Sequence, residues 1–419
     1  MQNLYAMQNG TDKGNLQIRV TSQGFFPIED ATITLSYTGD PSESIEQITT
    51  DNSGQTETLV LNAPPLEYSM EPSEHQPYAE YTIQVNASGY RPIDISGIAV
   101  LPDTTAIQEV TLAAVDSAIP RPDNIVITAN TLYGNFPPKI PESEIKPVSE
   151  TGEIVLSRVV IPEYVVVHDG SPTDSTATDY YVRYRDYIKN VASSEIYATW
   201  PDNCLRSNIL AIMSFTLNRV YTEWYRNKGY NYTITSSTAY DHKFVYGRNI
   251  YSNISRIVDE LFENYLSRPN VKQPILTQYC DGQKVSCPNW MTQWGSKYLA
   301  DQGYSTIEIL RYYYGSSMYI NTAEEISGIP ASWPGENLQI GSSGSKVRQM
   351  QEQLTRISRN YPAIPAITAD GVYGPATQNA VERFQSVFGL PVTGIVDYRT
   401  WYKISEIYVA VSRIAELYQ

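Results

Sequence analysis

From residue 15 to 113 apolar and polar positions alternate in short runs. "NLQIRVTS", "DATITLSY", "ETLVLN", "AEYTIQVNASGY" and "TAIQEVTL" carry the alternation, and clusters of Gly, Pro, Asp and Asn separate them. This spacing predicts a small all-β sandwich over residues 1–113. Over residues 114–155 the periodicity is lost. "DSAIPRPDN" and "NFPPKIPESEIKPVSETGE" read instead as a Pro-rich, partly extended linker, the kind of segment that proteases cut. From 156 to 330 the pattern is mixed: "IVLSRVVIPEYVVVH" is strand-like, and the apolar spacing predicts helices over 186–199, 202–228 and 304–314, which together make an α+β domain. The last unit, residues 336–419, places Val347, Met350, Leu354 and Ile357 on one helical face, and Ala380, Val381, Phe384 and Phe388 on another. A small α-helical domain is expected there, so the chain reads as multidomain.

One residue interrupts the pattern. In "NVASSEIYATWPDN", Ile188, Val191, Ala192 and Glu195 share a helical face, so a carboxylate points where apolar side chains point. Burial disfavours the charged form and moves such a pKa upward. A carboxylic acid kept protonated near neutrality can protonate a leaving oxygen, the general-acid step of glycosidic cleavage. The bland alternative is a Glu at a helix edge, or one paired with Lys189 or Arg206, and spacing alone favours it.

Composition narrows the partners. The 419 residues carry a formal net charge of -15, which argues against a nucleic-acid backbone or an anionic membrane surface as main partner. Tyrosine is abundant, with 34 copies, and offers a flat apolar face with one hydroxyl, which suits sugar rings as well as a core. The first twenty residues lack a basic segment followed by an apolar run, so no secretory signal is expected, and no apolar stretch reaches the length of a membrane span. Three cysteines, Cys204, Cys280 and Cys287, are too few for a disulfide framework or a four-Cys zinc site.

Several stretches resemble known families. "ATITLSY", "DNSGQTETLVL" and "YTIQVNASGYRPIDISGI" resemble the carboxypeptidase regulatory-like, transthyretin-like sandwich. "GSSGSKVRQMQEQL", "DGVYGPATQNAVERFQ" and "GIVDYRTW" resemble, in order, the helical peptidoglycan-binding domain found at the ends of many wall hydrolases. "CPNWMTQWGSKYLADQGYSTIEILRYYYG" and the upstream "YIKNVASSEIYATWPDNCLRSNILAIMSFTLNRVY" resemble the stage II sporulation protein D family, with Glu195 at the position of its Glu. That resemblance implies a lytic transglycosylase cutting between N-acetylmuramic acid and N-acetylglucosamine, in which Glu195 first protonates the glycosidic oxygen and then takes the muramyl C6 hydroxyl proton. One carboxylate suffices for this route. A hydrolase needs a second, and Asp202 and Asp186 are the nearest in sequence, though either reads better as a cap or a solvated charge. Around such an acid, Gln293 is the expected orienting residue, with Tyr197, Trp200, Trp294, Tyr312 and Tyr313 as stacking surfaces and Arg206 as a polar contact; the commoner fate of each is core or surface ion pair.

The sequence departs from that family where "CPNWMTQ" replaces a His-containing Gly-rich turn. Cys280 and Cys287, with His242, form a weak zinc pattern; a local disulfide or two plain thiols fit at least as well, and no cofactor is required by the implied chemistry. The order of segments, together with "RVVIPEYVVVHDG", resembles the SleC family of spore cortex-lytic enzymes over essentially the whole chain. The resemblance implies a zymogen of the spore cortex region, made without a signal peptide, cut in the 114–155 segment by a serine germination protease and acting on cortex peptidoglycan. The alternatives are a non-catalytic peptidoglycan-binding spore protein and a glycan hydrolase with a second carboxylate.

Overall fold

A computed structural model describes residues 12–117, 122–146, 156, 158–326 and 334–417. Among the described residues eight strands come first: β1 (Asp12–Ser22), β2 (Thr32–Tyr37), β3 (Asp40–Thr49), β4 (Leu59–Ala63), β5 (Ala79–Asn86), β6 (Ile93–Val100), β7 (Thr105–Leu112) and β8 (Asn124–Val126), with a one-turn helix α1 (Glu67–Met70) after β4. They form two sheets, one ordered β3-β2-β5-β6-β8 and the other containing β7-β1-β4. The period-two pattern accounts for the pairing. Leu16, Ile18 and Val20 on β1, Ile33 and Leu35 on β2, and Tyr81, Ile83 and Val85 on β5 all turn into one apolar core.

The central domain contains β9 (Val160–Ile161), β10 (Tyr164–His168), β11 (Asp179–Arg183), α2 (Tyr184–Glu195), α3 (Asp202–Tyr221), β12 (Ile234–Thr235), β13 (Ile250–Tyr251), α4 (Ser252–Leu261), β14 (Asn264–Ser267), β15 (Tyr279–Cys280), β16 (Met291–Thr292), α5 (Gln293–Asp301), α6 (Thr306–Tyr314), β17 (Tyr319–Thr322) and β18 (Glu325–Ile326). Helix α3 is buried on nearly every face, its Asn208, Asn218 and Arg219 included, with α2, α4, α5 and α6 packed about it. The last three helices are α7 (Ser345–Ser358), α8 (Pro375–Val387) and α9 (Tyr398–Leu417). Val347, Met350, Leu354, Ile357, Ala380, Val381 and Phe384 are buried as their spacing requires, around Trp401 of α9. Phe388, expected on the same face, lies beyond the end of α8, half-buried against the rings of Phe384 and Tyr361.

Helix boundaries differ from the sequence expectation, including that over 304–314, which begins at Thr306. The helix expected over 186–199 spans 184–195, and that over 202–228 ends at Tyr221, where Glu223 takes a left-handed φ of 44°. The segment expected to be an extended linker is, over 122–146, laid down as structure: β8 pairs parallel with β6, and the residues after it follow the central domain. Prolines deny this stretch a helix but leave its carbonyls and charged side chains free to bond outward. The remainder of the expected processing stretch, 118–121 and 147–155, lies outside the described residues. The units are also more entangled than a string of beads, because β13 of the central domain pairs antiparallel with β7 and so extends the first unit's sheet. On the other side, Arg185 of α2 donates to Glu406 and to the Tyr402 carbonyl (3.1 Å) on α9, and Arg399 of α9 reaches Glu260 of α4 at 3.0 Å. Among the described residues no helix is long and apolar enough to cross a membrane.

Candidate active site

Glu195 is the last residue of α2, and its position follows from how that helix ends. A helix C-terminus leaves carbonyls without partners. Here Thr131 N–H donates to the Ser194 carbonyl at 3.0 Å, Asn130 Nδ2 to those of Ser193 and Ile196 at 3.4 Å, and Gln293 Nε2 to that of Glu195 at 3.0 Å. Ile196 is extended, so the chain turns away and the Glu195 side chain is left 3% exposed.

The carboxylate accepts two hydrogen bonds. Lys243 N–H donates to Oε1 at 2.6 Å, and the Tyr279 hydroxyl donates to Oε2. Burial pushes the Glu195 pKa up; the Lys139 ammonium and these two donors pull it down, and burial wins. Tyr279 is itself pushed well up by burial and then by Glu195, so it stays a donor. Behind it the ring of His242 stacks at 5.8 Å, and Tyr187 Oη lies 3.0 Å from its Nδ1. Burial, then Lys139 and Arg219, pushes the His242 pKa well down, so this imidazole is neutral.

Lys139 comes from the Pro-rich segment. Its Nζ donates to the Asp241 carbonyl and lies 4.8 Å from the Tyr279 ring centre and 4.9 Å from that of Phe215. Burial lowers its pKa against the pull of Glu195 and Asp241. Arg219, fully buried, ties the same floor together: Nε reaches Asp241 at 2.7 Å, and the two terminal nitrogens hold Glu142 at 2.6 and 3.0 Å.

Glu195 opens on a cavity of about 60 Å³ walled by Phe136, Pro137, Lys139, Tyr279, Asp281 and Gln293. Asp281 is a second carboxylate on this wall, and its oxygens accept Lys284 N–H at 2.7 Å and Val285 N–H at 2.9 Å. A far larger cavity, about 830 Å³, lies where the three units meet, between Arg19, Tyr181, Phe244, Tyr361 and Arg399, and does not include Glu195.

The structure brings Glu195 and Gln293 together and distributes the other expected residues elsewhere. Tyr197, Trp200 and Trp294 interlock as a buried cluster, ring centres 5.0 to 6.1 Å apart, with the Trp200 indole N–H donating to the Ser69 carbonyl at 2.8 Å. In the intact chain they are core at the junction with the first unit. Tyr313 is held to Thr292 at 3.1 Å, while Tyr312 is exposed. Gly295 sits beneath this pair because an added Cβ would fall 2.2 Å from both Thr292 Oγ1 and Tyr313 Oη. Arg206 is engaged by Asp202 at 2.5 Å and by Glu260. The zinc expectation is corrected: Cys280 and Cys287 form a disulfide with Cα atoms 6.1 Å apart, so neither thiolate is free to ligate. Among the described residues no group of three or more His, Cys, Asp or Glu side chains could hold a metal ion.

Sequence reasoning missed Tyr279, Lys139, Asp281 and the Lys243 amide. Tyr279 precedes Cys280 and Asp281 follows it, so the signal lay beside a residue already singled out. Lys139 carried none, because a lysine in a Pro-rich stretch reads as solvated.

Comparison with known proteins places one part of this chain. Residues 343–404 match the family model of the peptidoglycan binding domain, so the chain carries such a domain at its C-terminal end. The zinc D-Ala-D-Ala carboxypeptidase of Streptomyces albus G is 43% identical over 77 residues, which is 18% of this chain and 28% of that protein; the chain spans well under a third of that relative. Among solved structures, the SleB N-terminal domain is 30% identical with a TM-score of 0.16, covering 18% of this chain and 99% of that one. The Bacillus anthracis TIE protein is 17% identical with a TM-score of 0.17, covering 25% of this chain and 17% of that one.

Proposed function

We propose that the protein is a cortex-lytic zymogen, a lytic transglycosylase related to the SleC and stage II sporulation protein D families, that cleaves spore cortex peptidoglycan during germination and leaves 1,6-anhydro ends. The observation that carries this reading is Glu195 itself: a buried carboxylate, pKa raised, with a hydrogen-bond donor on each oxygen and one face on a cavity. A group so placed can give a proton to a glycosidic oxygen and then accept one from the C6 hydroxyl. The peptidoglycan-binding domain supports the substrate class, since tethering to an insoluble polymer raises the local concentration of bonds to cut.

The cavity supports the zymogen part of the reading. About 60 Å³ is far below the roughly 300 Å³ of a small-molecule site, and the wall that closes it includes Phe136, Pro137 and Lys139 of the segment in which a serine germination protease would cut. Storage in the spore cortex region until germination is the setting this reading implies.

Asp281 on the same wall favours a second reading, a hydrolase in which it supplies the base. Its oxygens are already taken by two backbone N–H groups of its own loop, which suits a structural role better.

The test is to incubate purified cortex peptidoglycan with the intact chain, the larger piece separated after a cut within 147–155, and that separated piece carrying Glu195→Gln, then identify soluble fragments by mass spectrometry. Anhydro-muramyl ends that need Glu195 support the transglycosylase. Reducing ends shift the assignment to the hydrolase, and no fragments under any condition shift it to a non-catalytic peptidoglycan-binding protein.

A further inference from the structure

The first unit and the segment after it hold the central domain through main-chain pairing and buried polar contacts. β13 lies antiparallel on β7, Ile250 opposite Ile107 and Tyr251 opposite Ala106. Beside that pairing, Asn249 takes both backbone groups of Ala99, its Oδ1 accepting the N–H and its Nδ2 donating to the carbonyl, each at 3.0 Å, and the Tyr251 hydroxyl donates to the same carbonyl at 3.0 Å. Gln108 Nε2 donates to the Gly247 carbonyl at 3.0 Å, and the buried Arg248 donates to that of Thr128.

The 122–146 segment continues the attachment. Ile140 N–H donates to the Ala239 carbonyl at 2.7 Å, and Gln278 both donates to the Ile140 carbonyl at 2.8 Å and accepts Glu142 N–H at 2.9 Å. Glu142 holds Arg219 with both oxygens, and Glu144 holds Arg268 likewise at 2.7 and 2.8 Å. All of these contacts join residues before 147 to residues after 155. A cut between those numbers removes a covalent link and none of the contacts.

Such an interface does not come apart readily. Strand addition gives affinity through main-chain bonds. Separation would also strip the fully buried Arg219 of a bidentate partner, and removing one member of a buried pair leaves the other charge uncompensated.

We propose that the piece of chain ending near residue 146 is a stable non-covalent partner of the remainder, so that after a cut within 147–155 the two stay associated with Phe136, Pro137 and Lys139 still walling the Glu195 cavity. Displacement of that piece, rather than the cut, then exposes Glu195. The association stands on the contacts alone; only the consequence of exposing Glu195 rests on the proposed glycan cleavage.

The experiment uses the full chain with a protease recognition sequence inserted between residues 150 and 151, cut to completion as judged on a denaturing gel. On gel filtration at about micromolar concentration and about 0.15 M salt the two pieces are expected to elute together; separate elution overturns the proposal. The paired substitutions Asn249→Ala and Glu144→Ala, checked for folding before cutting, are expected to speed exchange of the smaller piece against a labelled copy at least about tenfold, and an unchanged rate overturns the assignment of these contacts. If the co-eluting complex solubilises cortex peptidoglycan as fast as the separated larger piece, the covering role fails. If the separated larger piece keeps its helical content by circular dichroism and a cooperative melt yet releases nothing while the association holds, the glycan-cleaving reading fails by itself.

Discussion

The carboxylate of Glu195 accepts the backbone N–H of Lys243 at 2.6 Å, a donor that side-chain substitution does not remove. Replacing Glu195 by Gln therefore keeps the shape of the site and deletes the transferable proton. The variant is expected to fold normally and to lose at least about a hundredfold in fragment release, measured on the larger piece separated from the cut chain. A loss below about threefold would show that another group supplies the proton.

Because the folded pKa of Glu195 is raised, its contribution to stability is fully present below the ordinary carboxylate range of about 4.3 and is lost as pH rises through the raised value. Gln does not titrate. The melting temperature of Glu195→Gln relative to the parent is thus expected to be more favourable at pH 7 than at pH 4, and scanning calorimetry at both values checks the sign.

Glu142 moves the opposite way. Burial pushes its pKa up, but the Arg219 and Lys146 hydrogen bonds and charges outweigh this and hold it at about 2. Its stabilisation is present above the unfolded value near 4.3 and fades as pH falls toward 2. Glu142→Gln leaves Arg219 with the Asp241 carboxylate and the Tyr240 carbonyl and is expected to cost about 3 kcal/mol in denaturant unfolding at pH 7, with the difference shrinking in acid.

The Cys280–Cys287 disulfide closes the loop that carries Asp281, Lys284 and Val285 to the cavity. Reduction is expected to lower stability by about 2 kcal/mol, whereas added zinc should leave the melting temperature unchanged. Cys204 is the one free thiol and is buried, so alkylation of the native oxidised chain should label almost nothing.

Gly295→Ala forces a Cβ into the Thr292–Tyr313 contact. Overpacking of this kind costs about 1–3 kcal/mol, and Tyr313→Phe in the same chain, which removes one of the two clashing oxygens, should recover part of it in urea unfolding.

Much of this fold was legible because burial imposes a period. Val347 to Ile357 and Ala380 to Phe384 sit on helical faces that the core fills, and β1 and β5 alternate as half-buried strands must. Glu195 stood out for the same reason, a charge at an apolar position. What surrounds it was hidden, since Lys139 comes to line its cavity and the Lys243 amide to bond its carboxylate through folding contacts with no local pattern, while Trp200 and Trp294, expected as stacking surfaces, are buried in the intact chain. Periodicity reports which face is buried. It does not report what covers it, and here the cover includes a Pro-rich segment that composition alone assigns to solvent.

The central claim, that Glu195 acts alone on a glycan, is tested most directly by running the separated larger piece on cortex peptidoglycan in water enriched in oxygen-18. The account requires soluble fragments with anhydro-muramyl ends and no incorporated label, because the C6 hydroxyl rather than water closes the reaction. Fragments with labelled reducing ends would contradict it and put Asp281 in the position of the catalytic base.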